Sequence, residues 1–432
     1  MAFRPFSSGS PAEPTPAGLA ATSHEVVIVG GGLVGASLAI ALQRGGVDVA
    51  LVEASPAGAL PAVFDERNLS FAEATVNALT ALGVMQKLRT AGGAIRRIHV
   101  SRQGDFGRVV LDAQRYGRSQ FGQVVVARDF GDALEARLAE LPGITRYRPA
   151  RFDGLVDLGP DQRGLRLLDA DGERVIGAQL LVGADGTHSG VRSALGLTAE
   201  THDYLQTLFV TRVRCERAPD GTAYERLTDH GPTALLPRAD RHFGLIHGVP
   251  RDEAEAVAAL DDAAFLQRVQ AAFGWRLGRL LSCGARNAYP ATRVVAPRTV
   301  AVRAVLIGNA AQTIHPVGAQ GFNLGLRDAL TLAELIEAQR AAATSDACVS
   351  DVGSSDLLAR YTQRRAEDRA RSLAFSDQLV RVSSNPHSIL RPLRSLGLFA
   401  ADRLPSVQSW LVGGAMGYRG DVPALCRAEA VR

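Results

Sequence analysis

The stretch that most constrains this chain is "EVVIVGGGLVGASLAIALQRGGVDVALVEAS", which begins at Glu25. The apolar run Val26–Val29 predicts a buried parallel strand. Gly30, Gly32 and Gly35 follow as G-x-G-x-x-G, at the point where that strand should turn into a helix. Glycines are needed there because backbone N–H groups must approach a pyrophosphate closely, and a helix N-terminus favours negative charge. Leu33 and Val34 complete the loop, and Ala39 and Gly46 are expected to keep the helix close to the sheet. A second strand, "VALVE", ends on Glu53, where an acid accepts the ribose hydroxyls of an adenine dinucleotide. A carboxylate at that place repels a 2′-phosphate, so the expected nucleotide is FAD or NAD rather than NADP. A lone G-x-G-x-x-G is weak evidence, but here strand, helix, second strand and terminal acid occur together and predict an α/β, Rossmann-type unit.

The remaining length sets the context. A chain of 432 residues is too long for one ordinary core and predicts roughly two or three domains. Its 46% hydrophobic and 21% charged residues are those of a folded globular protein. The net charge of +4 rests almost wholly on arginine, with Lys87 the one lysine. That excess suits an anionic cofactor or surface and is too small to argue for nucleic acid. Neither the nine histidines nor the four cysteines show metal-ligand spacing, so no metal is expected. Cys215, Cys283, Cys348 and Cys426 are scattered singly, as reduced thiols in a cytoplasmic setting would be. No apolar run reaches transmembrane length, and the Pro-, Ser- and Ala-rich residues 1–23 read as a disordered leader, not a signal peptide.

Two further motifs lie downstream. "AQLLVGADGTHSGVRSALG" is a strand followed by Gly183, Ala184, Asp185 and Gly186, an ordinary turn if taken alone. "GNAAQTIHPVGAQGFNLGLRD", Gly308 to Asp328, is a glycine-rich loop between a short apolar strand and a helix. By itself it is either a cofactor cradle or a tight turn whose glycines serve sterics. In this order and spacing, the three motifs make the chain resemble the flavoprotein aromatic hydroxylases of the p-hydroxybenzoate hydroxylase type. Within them, "GNAAQTIHPVGAQGFNLGLRD" and "AYERLTDHGPTALLP" (from Ala223) look most like the ubiquinone-biosynthesis hydroxylases, the group that includes 2-polyprenyl-6-methoxyphenol hydroxylase.

The resemblance implies roles. The first motif takes the ADP half of FAD, with Glu53 on the adenosine ribose; Asp185 and Gly186 serve FAD and NAD(P)H binding; the third motif takes the riboflavin half. There Asn309 stands where the wider family has an acid, and contacts the ribityl chain. The loop that contains Pro316 lies along the isoalloxazine edge, and Pro316, Gly318, Gln320, Gly321, Phe322 and Asn323 are cofactor-binding residues. Arg67 and Arg128 stand where the family has FAD-contacting arginines; the alternative for each is a surface charge, at a helix start in the case of Arg128. Arg192 is expected to pair with a nearby acid. In the flavin loop His315 and Pro316 are the catalytic candidates, with His315 an acid–base group or a ring filling space against the proline, and His247 and Tyr224 either face the substrate or are structural. The implied reaction is that of an NAD(P)H-dependent monooxygenase: FAD is reduced, O₂ is taken up, and oxygen is delivered to an electron-rich phenol. The implied partners are a hydrophobic phenolic substrate, O₂, a membrane surface and a ubiquinone-biosynthesis complex, with no nucleic acid, in a cytoplasmic protein peripheral at the inner membrane. A soluble-phenol hydroxylase and a non-catalytic FAD-binding scaffold are the rival readings; a halogenase is disfavoured because Trp275 stands in "FGWRLG" and not in W-x-W-x-I-P.

The domain expectation is a discontinuous FAD domain (24–94, 119–200 and 290–345), a mostly antiparallel substrate sheet (95–118 and 201–289) and C-terminal helices (354–432). "DEAEAVAALDDAAFLQRVQAAFGW" should be a helix pair crossing that sheet, and "AAATSDACVSDVGSSD" a loop. Near the C-terminus Leu390, Leu393, Leu396 and Phe399 are spaced by three, bordered by Arg391, Arg394 and Arg403, with Pro392 in a first turn and Pro405 as a stop. Such a stripe either packs internally or lies in a membrane plane.

Overall fold

The computed structural model describes residues 22–60, 65–346, 351–383 and 390–427. The chain opens with β1 (Thr22–Val29), α1 (Leu33–Arg44) and β2 (Val49–Val52), then β3 (Asn68–Ala72). The hairpin β4 (Arg97–Arg102) and β5 (Arg108–Asp112) precedes β6 (Gly122–Val126) and α2 (Ala127–Ala139). After β7 (Gly172–Gly183) come β8 (Glu200–Cys215), β9 (Thr222–Thr228), β10 (Gly231–Pro237) and β11 (Phe243–Pro250). α3 (Asp262–Phe273), β12 (Asn287–Val295), β13 (Ala304–Leu306) and β14 (Gln312–Thr313) lead into α4 (Gly321–Asp346). The chain closes with α5 (Ser355–Ser383), α6 (Leu390–Arg403) and α7 (Pro405–Ala415).

Among the described residues the strands form sheets of eight, nine and three. In the eight-stranded sheet β1 lies between β2 and β7, with β13 beyond β7, all parallel. Both faces are covered, which is why β1 and β2 read as unbroken apolar runs rather than alternating ones. The nine-stranded sheet runs β14-β12-β8-β11-β10-β9-β4-β5 and is antiparallel except where β9 meets β4. In the third sheet β6 lies between β3 and the short strand Gly93–Ile95 and is antiparallel to both.

Pleating gives the nine-stranded sheet two distinct faces. On the outer face α3 lays Phe265, Val269 and Phe273 over Phe209, Leu235 and Leu245. The inner face turns toward the eight-stranded sheet: a side chain on Gly244 would collide with Asn68, and the Tyr289 hydroxyl donates to Asp65. The C-terminal helices cover one end of this inner face, with Leu398, Val412 and Met416 packed among Val109, Leu111 and Ala223.

Several expectations are corrected. β12 continues in the substrate sheet to Val295, and β14, from the glycine-rich loop, pairs with Val294 and Val295. The segment from 290 therefore belongs to both layers. α4 runs through Ala341–Ala343 to Asp346, because consecutive alanines prolong a helix that was expected to end sooner; residues 347–350 lie outside the described residues. Gly46 adopts φ +67° in the turn that ends α1, so it serves that turn and not helix–sheet packing. Most of the expected leader lies outside the described residues, but Thr22 and Ser23 already belong to β1. Among the described residues, Cys215, Cys283 and Cys426 are free thiols and no cluster of metal-ligating side chains occurs.

Candidate flavin site

At the C-terminal end of β1, Gly30 takes φ +108°, and a Cβ on it would stand 2.5 Å from the Ala184 carbonyl oxygen. A Cβ on Gly35 would strike the Gly30 carbonyl. These two glycines let the loop, α1 and β7 close on one another. Gly32 is the N-cap of α1 and supplies no side-chain cap, so first-turn N–H groups are left for an anion. Glu53, just past β2, accepts from Gly31 N at 2.8 Å through Oε2 and from Ser55 N at 2.7 Å through Oε1. Two backbone donors thus fix its carboxylate at the rim of the loop, with lone pairs left over for ribose hydroxyls. A cradle that a Cβ would fill, an uncapped helix start and an oriented acid fit an adenine dinucleotide.

Asp185 uses its carboxylate locally, accepting from Ser189 Oγ at 2.5 Å and Val191 N at 3.0 Å. Gly186 beside it has φ +86°. Arg192 does not pair with an acid as expected. Its Nη1 donates to the Ala310 carbonyl and its Nη2 to the Thr187 carbonyl, both at 2.9 Å, joining the second motif to the third.

In the third motif Gly308 (φ +57°) lies against Val34, at the start of α1. Asp328 holds this turn from behind, accepting from Gly308 N at 3.3 Å and Gln312 Nε2 at 2.6 Å. Arg365 pairs with Asp328 at 2.8 Å and with Asp368 at 2.8 Å, and Arg327 with Asp368 at 2.7 Å. Burial alone would raise the Asp368 pKa, but the two guanidiniums hold it below the ordinary carboxylate range. None of these charged residues was singled out from the sequence. Only "LRD" at the end of the motif hinted at them, since a charged pair in an otherwise uncharged stretch needs partners.

Asn309 is exposed at the tip of the turn, with no side-chain hydrogen bond among the described residues, free to receive a ligand hydroxyl. Pro316 and Gly318 are also exposed, and Gln320 Nε2 donates to the Gly318 carbonyl at 3.1 Å. Gly321 opens α4, whose first turn is the second helix N-terminus at the site. Phe322 and Asn323 turn inward. Phe322 packs its ring 5.1 Å from Phe71 and 5.4 Å from Phe130. Asn323 accepts from Ala72 N and Thr75 Oγ1 and donates to the Ser70 and Ala319 carbonyls. These two residues offer a ligand only their backbone. His315 is fully buried; its Nδ1 accepts from Val317 N at 3.1 Å and its ring meets the Tyr204 ring at 5.1 Å. Burial pushes its pKa down to about 4, so the imidazole is neutral and shapes the loop.

Arg67 forks onto Asp65 with two bonds of 2.8 Å and stacks 4.5 Å above the Tyr289 ring. Arg128 is exposed, 3.3 Å from Glu66, and its backbone N–H donates to the Asp65 carbonyl. The two arginines are therefore gathered by one short segment. His247 and Tyr224 point the other way, edge-on to Phe265 and Phe273 of α3, and are structural.

A parallel dinucleotide sheet, an antiparallel sheet folded over it and a glycine-rich loop shared by both define an FAD-dependent aromatic monooxygenase. The family model described as FAD binding domain matches residues 23–376, and the chain belongs to that family. It is 36% identical over 397 residues to ubiquinone hydroxylase UbiL of Rhodospirillum rubrum, covering 91% of this chain and 89% of the relative. It is 31% identical over 384 residues to the 3-demethoxyubiquinol 3-hydroxylase of Escherichia coli, covering 88% and 95%. It is thus of the ubiquinone-biosynthesis hydroxylase type. Among solved structures, p-nitrophenol 4-monooxygenase from Pseudomonas putida has the same fold, with a TM-score of 0.74 at 18% identity over 93% of this chain and 99% of that one.

Proposed function

We propose that this chain hydroxylates the aromatic ring of a polyprenylated phenol in ubiquinone biosynthesis, consuming NAD(P)H and O₂. The observation that carries the reading is the inner face of the nine-stranded sheet. It sets an apolar surface opposite the glycine-rich loop, where a hydrophobic ring would lie against a flavin. FAD, when bound, supplies the oxygen chemistry after reduction by the nicotinamide. The chain supplies the rest. Gly30, Gly32, Leu33, Val34 and Gly35 hold the pyrophosphate end, Glu53 the ribose, and Arg67 and Arg128 add positive charge. Asp185 and Gly186 shape the middle of the site. Asn309 receives the ribityl hydroxyls, and the loop from Pro316 to Asn323 backs the ring. The N-terminus of α4 would favour a negatively charged ligand there, and the inner sheet face would exclude water.

The C-terminal helices suit capture of such a substrate from a membrane. Leu396, Phe399 and Trp410 are 54%, 47% and 51% exposed, and Arg403 and Arg419 stack on the last two rings. The side chains of Leu390, Arg391, Leu393 and Arg394 lie outside the described residues. Among the described residues no helix is long and apolar enough to cross a membrane, so a peripheral position is the one proposed. The test is twofold: delete the gene and identify by mass spectrometry the quinone precursor that accumulates, then give that compound to the purified protein with NADH or NADPH. Hydroxylated product with matched oxygen uptake is expected. An unchanged quinone profile, or no oxygen uptake with the accumulated compound, would refute the reading.

A further inference from the structure

We propose that Glu225 is the residue that receives the phenolic hydroxyl of the substrate, on the inner face of the nine-stranded sheet. The inference rests on the phenol reading above and deepens it. Glu225 lies in β9, where Tyr224 and Arg226 point to the outer face: Tyr224 meets Phe273, and Arg226 donates to Ser101 and to the Ala272 carbonyl. Alternation therefore turns Ala223, Glu225 and Leu227 inward. The strand registers place Val109, Val100, Glu225, Ala234, Ile246 and Val210 side by side across the sheet. Glu225 is the one ionisable side chain in this row, which ends on Asn287 of β12.

Its surroundings point to a ligand. Ala223 belongs to the cluster closed by the C-terminal helices, and Leu227 to the cluster closed by Val317 of the flavin loop and Val380 of α5. Glu225 stands at the junction, between the flavin loop and the helices proposed to admit the substrate. Its Oε1 is fully enclosed and has no hydrogen-bond partner, although the residue as a whole keeps some exposure. On the facing strand Arg102 is engaged with Asp229 and Asp105, and on α5 Asp377 is engaged with Tyr204 and Arg381. A carboxyl oxygen enclosed without a partner among valine, isoleucine and alanine is costly unless something completes it. Burial also pushes its pKa up to about 7, so it accepts or donates a hydrogen bond near neutral pH. A phenol offers the matching group, and accepting its O–H proton in a hydrogen bond places electron density on the ring that is to be oxidised.

The test uses the FAD-loaded full chain and two probes, 2-geranylphenol and its methyl ether 2-geranylanisole, titrated through the flavin absorbance change. The parent should prefer the phenol about tenfold or more, the discrimination expected of one buried hydrogen bond. Glu225→Leu should bring the two affinities within about twofold while leaving that of the ether unchanged, and Glu225→Gln should fall between. Undiminished preference in a Glu225→Leu protein with full flavin content overturns the assignment. If that variant does not hold FAD, Glu225→Gln decides, and undiminished preference there also overturns it. Equal binding of both probes by the parent overturns the hydroxyl contact but leaves the phenol reading standing. Binding of neither probe overturns both.

Discussion

Gly30 shows how tightly a single residue can be specified. Its φ is +108°, and a Cβ there would lie 2.5 Å from the Ala184 carbonyl oxygen, which leaves no room for a methyl group. Gly30→Ala must therefore move β7 away from the loop, and the purified variant should show a flavin-to-protein absorbance ratio near zero. A full flavin complement would mean that the loop does not hold the cofactor. His247 makes a different kind of prediction. Burial drives its pKa from 6.5 down to about 3, so the unfolded chain binds a proton that the folded chain refuses. Stability is intact above pH 6.5 and falls as the pH drops through the window below it, by about 1.4 kcal/mol per unit for this one ring. Between pH 6.5 and about 5, His247→Gln should lose about 2 kcal/mol less than the parent in urea titrations; parallel losses would show that His247 is protonated in the fold. The turn at Gly30 and the place of Glu53 just past β2 were legible in the sequence, because chain neighbours set them. Asp328 was not, because its partners Gly308, Gln312 and Arg365 are 16 to 37 residues away and only the fold gathers them.

Elements were legible where a period or a turn signal was strong. β1, α1 and β2 followed from the apolar pattern, and α3 from its spacing. The two misjudged elements, α4 and β14, show what pattern leaves out. Alanine-rich sequence is compatible with loop or helix until packing decides, and a strand of two residues has no pattern of its own. The α6–α7 pair was half legible: its apolar spacing was visible, but not that Ser395 and Leu398 would face inward while Leu396 and Phe399 face outward. Truncating these helices would strip Leu398, Val412 and Met416 from the core, so substitution is the better probe. Replacing Leu396, Phe399 and Trp410 together by serine should leave flavin content unchanged and weaken flotation with anionic vesicles at least about tenfold, since each apolar side chain contributes roughly 1.5–3 kcal/mol when fully buried. Equal flotation of parent and variant would assign the face to something other than lipid.

At the scale of the molecule, the three motifs and the run of strand signals between them anticipated two sheets of different kinds meeting at a loop. Their order alone did not reveal that the loop is hydrogen-bonded into the second sheet, through the pairs Val294–Thr313 and Val295–Gln312. This small seam has a thermodynamic consequence. If ligand binding orders the loop, it orders the paired sheet edge with it, and filling one site would then alter the free energy of filling the other. Such coupling is reciprocal by necessity: if the flavin raises affinity for a phenol by some factor, the phenol raises affinity for the flavin by the same factor. Flavin dissociation constants measured with and without 2-geranylphenol should differ by the ratio found when phenol binding is compared in loaded and flavin-free protein. Ratios of one in both directions would show a seam that joins the sheets without transmitting anything, and the enzyme would then be free to exchange its cofactor while its substrate stays in place.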